Sequence, residues 1–233
     1  MGALSRIAGA ARRRVDRVRR GRKGAAELDF WRARRRDEGT LTNRYYEPFF
    51  TERFGIDPSF YEGARILDVG CGPRGSLEWA GQAAERVGLD PLVDDYRALG
   101  IDEHAMTYVC APAEKMPFED GHFDVVTSFN SLDHVDDARA AIREIARVTR
   151  PGGIALVTVE VGHEPTVTEP QSFGWDVAGE FARDWVVEEE RRLALAGDHD
   201  VYGSWARGAP WESGPGLLVL RLTRAGGDRP ARA

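Results

Sequence analysis

An apolar run that closes on a glycine turn, ILDVGCGP at residues 66–73, constrains this 233-residue chain more than any other segment. Ile66, Leu67 and Val69 have the composition of a strand buried in a sheet. Gly70 and Gly72 remove side chains where the backbone must turn tightly against a ligand. Gly75 and Ser76 open an expected helix over 76–87, and a second strand over 88–90 ends on an acid, Asp90. This is the opening of an α/β fold and a cradle for a nucleotide-like cofactor, which makes an enzyme the leading reading. Taken literally, Gly70-x-Gly72-x-x-Gly75 fits the dinucleotide fingerprint, and Asp90 stands twenty residues after Gly70, where an acid can hold a ribose hydroxyl pair. The glycines alone leave a nicotinamide cofactor and another adenosine-bearing cofactor equally open.

The order of the later segments narrows the choice. Residues 25–60 read as helices rich in aromatics, including Phe30, Trp31, Tyr45, Tyr46 and Phe49, broken by Pro48 and Pro58. Strands are expected over 65–69, 88–90, 106–110, 123–129 and 154–160, with a short helix near 92–99. A helix over 137–149 buries Ala138, Ala141, Ile142, Ile145 and Ala146 on one side, with Asp136 or Asp137 as its cap and Pro151-Gly152-Gly153 as its stop. Residues 185–195 and 217–223 read as two strands joined by a polar, glycine-rich connection, so they pair antiparallel.

Composition is that of one soluble domain: 42% hydrophobic and 30% charged residues, with no apolar run near the roughly 18 needed to span a bilayer. No secretory signal is expected. Two cysteines, Cys71 and Cys110, form no disulfide framework and no metal-ligand spacing, which points to a reducing cytoplasm. Charge is uneven. Residues 1–24 hold nine basic residues and one acid, a balance of +8, so the remainder of a chain of net charge −6 carries −14. An acidic body disfavours a phosphate-backbone partner, since sequence-independent nucleic-acid affinity comes from neutralising phosphates. In the basic arm Leu4, Ile7, Ala8, Ala11, Val15 and Val18 recur at helical spacing. The alternatives are a solvated terminal helix, an amphipathic helix in weak contact with an anionic membrane or RNA, and an Arg-rich, acid-poor end resembling a transit peptide though poor in serine.

Five stretches in register, ILDVGCGP, GLDP (88–91), AEKMPFEDGHFDVVTS (113–128), LDHVDD (132–137) and EIARVTRPGG (144–153), resemble the class I methyltransferases that use S-adenosylmethionine, in particular their type 11 small-molecule branch. The resemblance covers about residues 60–160. It implies a Rossmann-like, seven-stranded, mostly parallel sheet with an antiparallel last strand, preceded by N-terminal helices. The organisation that follows is a basic arm at 1–24, a helical cap at 25–60, the catalytic core at 61–225 and a disordered tail at 226–233. The resemblance further implies that Asp68, Gly70, Cys71 and Gly72 surround the methionine part of S-adenosylmethionine and that Asp90 and Pro91 meet its ribose. Ala113, Glu114 and Met116 border the adenine, and Tyr46 and Asn130 complete the set. One position departs from the family: Pro112 stands where an aspartate often accepts from the adenine amino group.

Catalysis by this class needs geometry first. Orienting an acceptor atom toward an already activated methyl group accounts for roughly 7–11 kcal/mol, against about 3–5 kcal/mol for a general base worth 10²–10⁴ in rate. His134 is the best-placed candidate base, just after the strand over 123–129, with Asp133 beside it. His163 follows the strand over 154–160 and is expected to face the same pocket. His104 and His122 read as structural, and His199 sits in an acidic stretch. Asp133, His134, Glu160 and His163 carry ligand types that suit several metals, but the sequence sets no distance between them and no metal is expected. The acceptor is expected to be a small molecule, a specialised metabolite or glycan precursor, with Trp175, Tyr202, Trp205 and Trp211 available to line an apolar pocket. An RNA or protein acceptor, a non-catalytic scaffold and a nicotinamide enzyme remain the alternatives.

Overall fold

The computed structural model describes residues 21–43, 45–197 and 200–226. The basic arm up to residue 20, His199 and the tail from residue 227 lie outside the described residues. So do the expectations of an amphipathic arm and a disordered tail.

The described residues begin with helix α1 (Arg22–Glu38) and the short α2 (Glu47–Phe50), followed by β1 (Arg65–Val69), β2 (Glu85–Asp90), α3 (Val93–Tyr96), β3 (Thr107–Cys110), β4 (Phe123–Phe129), α4 (Ala138–Val148) and β5 (Thr149–Val161). They close with β6 (Trp185–Ala194), α5 (Val201–Arg207) and β7 (Gly216–Arg224). The seven strands form one sheet in the order β3-β2-β1-β4-β5-β7-β6. β7 runs antiparallel to both its neighbours, β5 and β6, and the other pairings are parallel. The order reverses between β1 and β4, the topological switch point where open α/β sheets bind ligands at the carboxyl ends of their strands.

The central strands are mostly buried and rich in apolar residues because both faces are covered. On β1, Leu67 and Val69 face the cluster that α4 supplies through Ala141, Ile142 and Ile145. Ile66 points the other way, into Phe50, Phe54, Tyr61, Leu77 and Trp205. Thus the aromatic residues of the N-terminal segment and the indole of α5 make up much of the second layer. α1 packs through Leu28 with Leu92, Val93, Tyr96 and Leu99 beyond the β2–β3 edge.

Several elements differ from the sequence reading. The helix expected over 76–87 does not form: residues 73–84 run through turns, and β2 begins at Glu85. Parallel pairing of Glu85 with Arg65 and Arg86 with Ile66 draws those residues into the sheet. Backbone bonds from Ala84 to Ala64 and from Gly63 to Gln82 pin what is left too close to the strand for a helix. Pro48 and Pro58 occupy the first turn of α2 and of a 3-10 turn (Pro58–Tyr61), so they start helical pieces and do not break them. α4 ends at Val148 before the Pro151-Gly152-Gly153 run, and β5 starts at once with Thr149. A register shift opposite Phe123 and Val125 absorbs the run. The connection between the last two strands is not loop alone; it carries α5. Among the described residues no helix is long and apolar enough to cross a membrane.

Candidate functional site

β1 delivers its chain end into the glycine loop at the switch point. Gly70 has a φ of +74° and Gly72 a φ of +56°, left-handed values that side chains resist. Space is also closed to substitution. A Cβ on Gly70 would lie 2.4 Å from Cβ of Ser131, and one on Gly72 would lie 3.2 Å from the ring of Trp31. The loop is therefore held between the segment after β4 and helix α1. Above it opens a cavity of about 890 Å³, bounded by the carboxyl ends of β1, β2 and β4 and roofed by α1.

Two buried carboxylates sit at its floor. Asp68 accepts hydrogen bonds from Thr127 Oγ1 at 2.7 Å and Ser76 Oγ at 2.5 Å, and burial pushes its pKa up to about 6. Asp90, at the end of β2, accepts from the amides of Leu92 (2.8 Å) and Gly72 (3.3 Å), and burial pushes it up to about 7. It thereby ties the glycine loop to the second strand. The Cys71 thiol is raised well above its ordinary value, first by burial and then by Asp90 and Asp68. It packs over β2 where a Cβ on Gly88 would meet its Sγ at 2.6 Å.

Pro91, Ala113 and Glu114 line the same cavity, with Pro112 between them. Glu114 Oε1 accepts from the amides of Asp136 (2.8 Å) and Asp137 (3.2 Å), joining this wall to the start of α4. Met116 does not reach the cavity; its side chain is buried in the core beneath. Tyr46 lies inside, stacked on Tyr202 with ring centroids 4.9 Å apart, while Tyr45 stands at the rim, 84% exposed. Asn130 has a φ of +48°, unique among the described non-glycine residues, and its buried Oδ1 has no hydrogen-bond partner. An orphaned acceptor on a cavity wall is a polar contact held ready for a ligand.

α1 is fastened over the loop at its C-terminal end. Arg74 makes a forked pair with Glu38 at 2.8 and 2.6 Å, and its guanidinium lies 5.5 Å from the Trp31 ring. Trp31 in turn donates from Nε1 to Glu27 at 2.8 Å.

His134 faces the cavity from the loop after β4. Its Nδ1 is 3.8 Å from Glu27, and its Nε2 is 3.7 Å from Glu169 and 3.9 Å from Asp133. Asp133 is only 1% exposed, lies behind this imidazole and is raised by burial. His163 does not face the cavity as expected. It is buried beyond Asp133, with Nε2 4.0 Å from that carboxylate and Nδ1 donating to the carbonyl of Glu164 at 3.0 Å. Glu160 is buried within β5, outside the group around His134. His104 bridges Tyr108 and the Leu41 carbonyl, and His122 bonds Glu85, both structural roles. Trp205 is core, and Trp175 and Trp211 pack edge to face on each other away from the cavity. Sequence reasoning missed Glu27 and Glu169. Neither lies in a motif, and only the packing of α1 and of the loop after β5 brings them to His134.

Residues 67–157 match the sequence family described as a methyltransferase domain. An uncharacterized methyltransferase of Mycobacterium sp. (strain JLS) is 36% identical over 113 residues, covering 46% of this chain and 45% of its own. The ubiquinone/menaquinone biosynthesis C-methyltransferase of Ectopseudomonas mendocina is 34% identical over 130 residues, 49% of this chain and 47% of its own. The chain thus spans about half the length of the curated relatives it matches. Among solved structures, a TehB-like SAM-dependent methyltransferase from Corynebacterium glutamicum superposes with a TM-score of 0.59 at 21% identity, covering 86% of this chain and 99% of its own.

Proposed function

We propose, from the premise that the core of this chain belongs to the class I S-adenosylmethionine-dependent methyltransferase family, that the protein transfers a methyl group from S-adenosylmethionine to a small-molecule acceptor. The observation that carries this reading is the floor of the cavity. There, two left-handed glycines leave no room for side chains, and a buried Asp90 is tied to the loop amide of Gly72.

The residues present fit the cofactor. Asp90, whose neutral form burial favours, gains two charge-assisted donors when a ribose diol is bound. The Gly70–Gly72 backbone and Asp68 take the methionine end, Asn130 Oδ1 is an acceptor for its ammonium, and Ala113 and Glu114 border the base. Met116 supports that wall from behind. The cofactor supplies a methyl group on a positively charged sulfur, activated before it reaches the protein. What the chain adds is placement and exclusion of water. α1 covers the site through Trp31 and Arg74, and Tyr46, Phe49 and Tyr202 offer an apolar face to the acceptor. An acceptor's proton leaves into the polar edge around His134, between Glu27 and Glu169. Asp133 and His163 act behind that edge as positioning groups. Residues 25–60 serve as the cap and 61–225 as the catalytic unit.

A cavity of about 890 Å³, walled by aromatic residues within an acidic body, suits a small apolar acceptor better than RNA. The C-methyltransferase named among the relatives also acts in the biosynthesis of a small molecule. The test is incubation with methyl-labelled S-adenosylmethionine and fractionated cell extract. Label in the small-molecule fraction is expected, and label confined to RNA or protein would overturn the acceptor class. His134→Ala in the same assay is expected to lower kcat with little change in the affinity for S-adenosylhomocysteine.

A further inference from the structure

We propose that Asp133, His134 and Glu169 form a binding site for one divalent transition-metal ion at the acceptor edge of the cavity. The ion site stands on its own geometry; only its role in holding an acceptor rests on the transferase reading.

Three ligand atoms of the right kinds converge: one carboxylate oxygen each of Asp133 and Glu169 and one imidazole nitrogen of His134 all lie within 4.8 Å of one another. Nε2 is 3.9 Å from Asp133 Oδ1 and 3.7 Å from Glu169 Oε1. These separations are too long for hydrogen bonds. They are close to the roughly 3.4–3.6 Å between neighbouring donors about one tetrahedral ion with bonds of about 2.1–2.2 Å.

A second observation is independent of the clustering. The Asp133 side chain is 1% exposed, and neither of its carboxylate oxygens has a hydrogen-bond partner. A buried carboxylate without donors is costly unless a cation meets it. Around the imidazole stand three carboxylates, Asp133, Glu169 and Glu27. Nearby Lys23 is engaged with Asp136 at 3.5 Å. Even a protonated His134 would leave this edge negative, and a divalent ion offsets the excess.

The site is also braced from outside. Thr166 Oγ1 donates to Glu169 Oε2 at 3.3 Å and accepts from the Glu169 amide at 3.0 Å, which holds one oxygen and leaves Oε1 toward His134. The Gln171 amide donates to the Asp133 carbonyl at 3.2 Å, and its side chain donates to the carbonyls of Val135 and Asp136. The loop after β5 is thereby stitched to the loop after β4, the two sources of ligands. His163 backs the second oxygen of Asp133 at 4.0 Å. Outer supports of this kind orient metal ligands.

One imidazole and two carboxylates suit Mn²⁺, Fe²⁺, Co²⁺ or Zn²⁺ better than an all-oxygen ion such as Ca²⁺. His134 and Glu169 line the cavity, so the remaining coordination positions face it. The ligand class they favour is an acceptor carrying an oxygen donor, a hydroxyl or an enolisable carbonyl, beside the group to be methylated.

Titration of the full chain with MnCl₂, followed by the EPR signal of free Mn²⁺, tests the site. One equivalent is expected to bind, and Glu169→Gln and His134→Gln are each expected to weaken it by at least about tenfold, while Asp102→Asn, a carboxylate elsewhere on the surface, leaves it unchanged. Far-UV circular dichroism and thermal melts establish that each variant is folded. Wild-type binding no stronger than that of the folded variants overturns the proposal. S-adenosylhomocysteine binding, measured in parallel by calorimetry, separates the two readings. Nucleoside binding without Mn²⁺ sinks the ion site alone, whereas Mn²⁺ binding without the nucleoside upholds the ion site and counts against the transferase.

Discussion

Asp90 shows how much one residue's surroundings decide. Its position after an apolar strand was legible in the sequence, but its protonation was not, because burial beneath the glycine loop sets it at about 7. A carboxyl raised in the folded state contributes stability that is fully present below its unfolded value near 4 and lost as pH rises through about 7. The ligand-free protein is thus expected to lose stability over that window, as urea melts at pH 5 and pH 8 will show. A ribose diol prefers the ionised form, so affinity for S-adenosylhomocysteine is expected to rise with pH toward 7, approaching tenfold per unit at its steepest. Asp90→Asn should flatten that profile and weaken binding by about 1.5–3 kcal/mol, a factor of about 13 to 160. Gly70→Ala combines a left-handed φ with a Cβ 2.4 Å from Ser131. It is expected to cost about 2 kcal/mol or more and to abolish nucleoside binding, checked by chemical unfolding and calorimetry.

At the scale of elements, periodicity served the strands and α4 well. The helix expected over residues 76–87, read from its opening at Gly75 and Ser76, was overridden by the parallel register of Glu85 and Arg86 on β1. Local propensity is weak beside a ladder of backbone bonds shared with a buried neighbour. α1 presents the opposite case: its existence was legible and the resemblance implied a cap, but the contacts that hold it over the cavity were not. Its hold on the core combines Leu28 packing, the Arg74–Glu38 fork and the ring of Trp31 over Gly72. Since the fork is partly exposed, Arg74→Ala is expected to change global stability by less than about 1 kcal/mol. The same variant should nevertheless speed tryptic cleavage within α1 several-fold in the absence of ligand, with S-adenosylhomocysteine restoring much of the protection, as a time course of limited proteolysis will read.

For the molecule as a whole, ligand and fold share one free energy. S-adenosylhomocysteine at 100 times its Kd is expected to stabilise the protein by about 2.7 kcal/mol, which raises Tm by roughly 5–11 °C for a chain of this size. NADH is expected to leave the melting curve in place. The seven-stranded sheet with its reversed last strand follows from the sequence alone. Buried strands, glycine turns and the acid after the second strand are local requirements that each segment announces through its own residues. The sequence likewise determined the floor of the cavity, because the left-handed turn demands glycine whatever packs above it. Only the tertiary structure decided which contacts hold the roof and which carboxylates meet at His134. Glu27 comes from α1, His134 from the loop after β4 and Glu169 from the loop after β5. Residues so far apart in the chain meet only because packing brings their elements to one end of the sheet, and no spacing in a sequence encodes such a meeting.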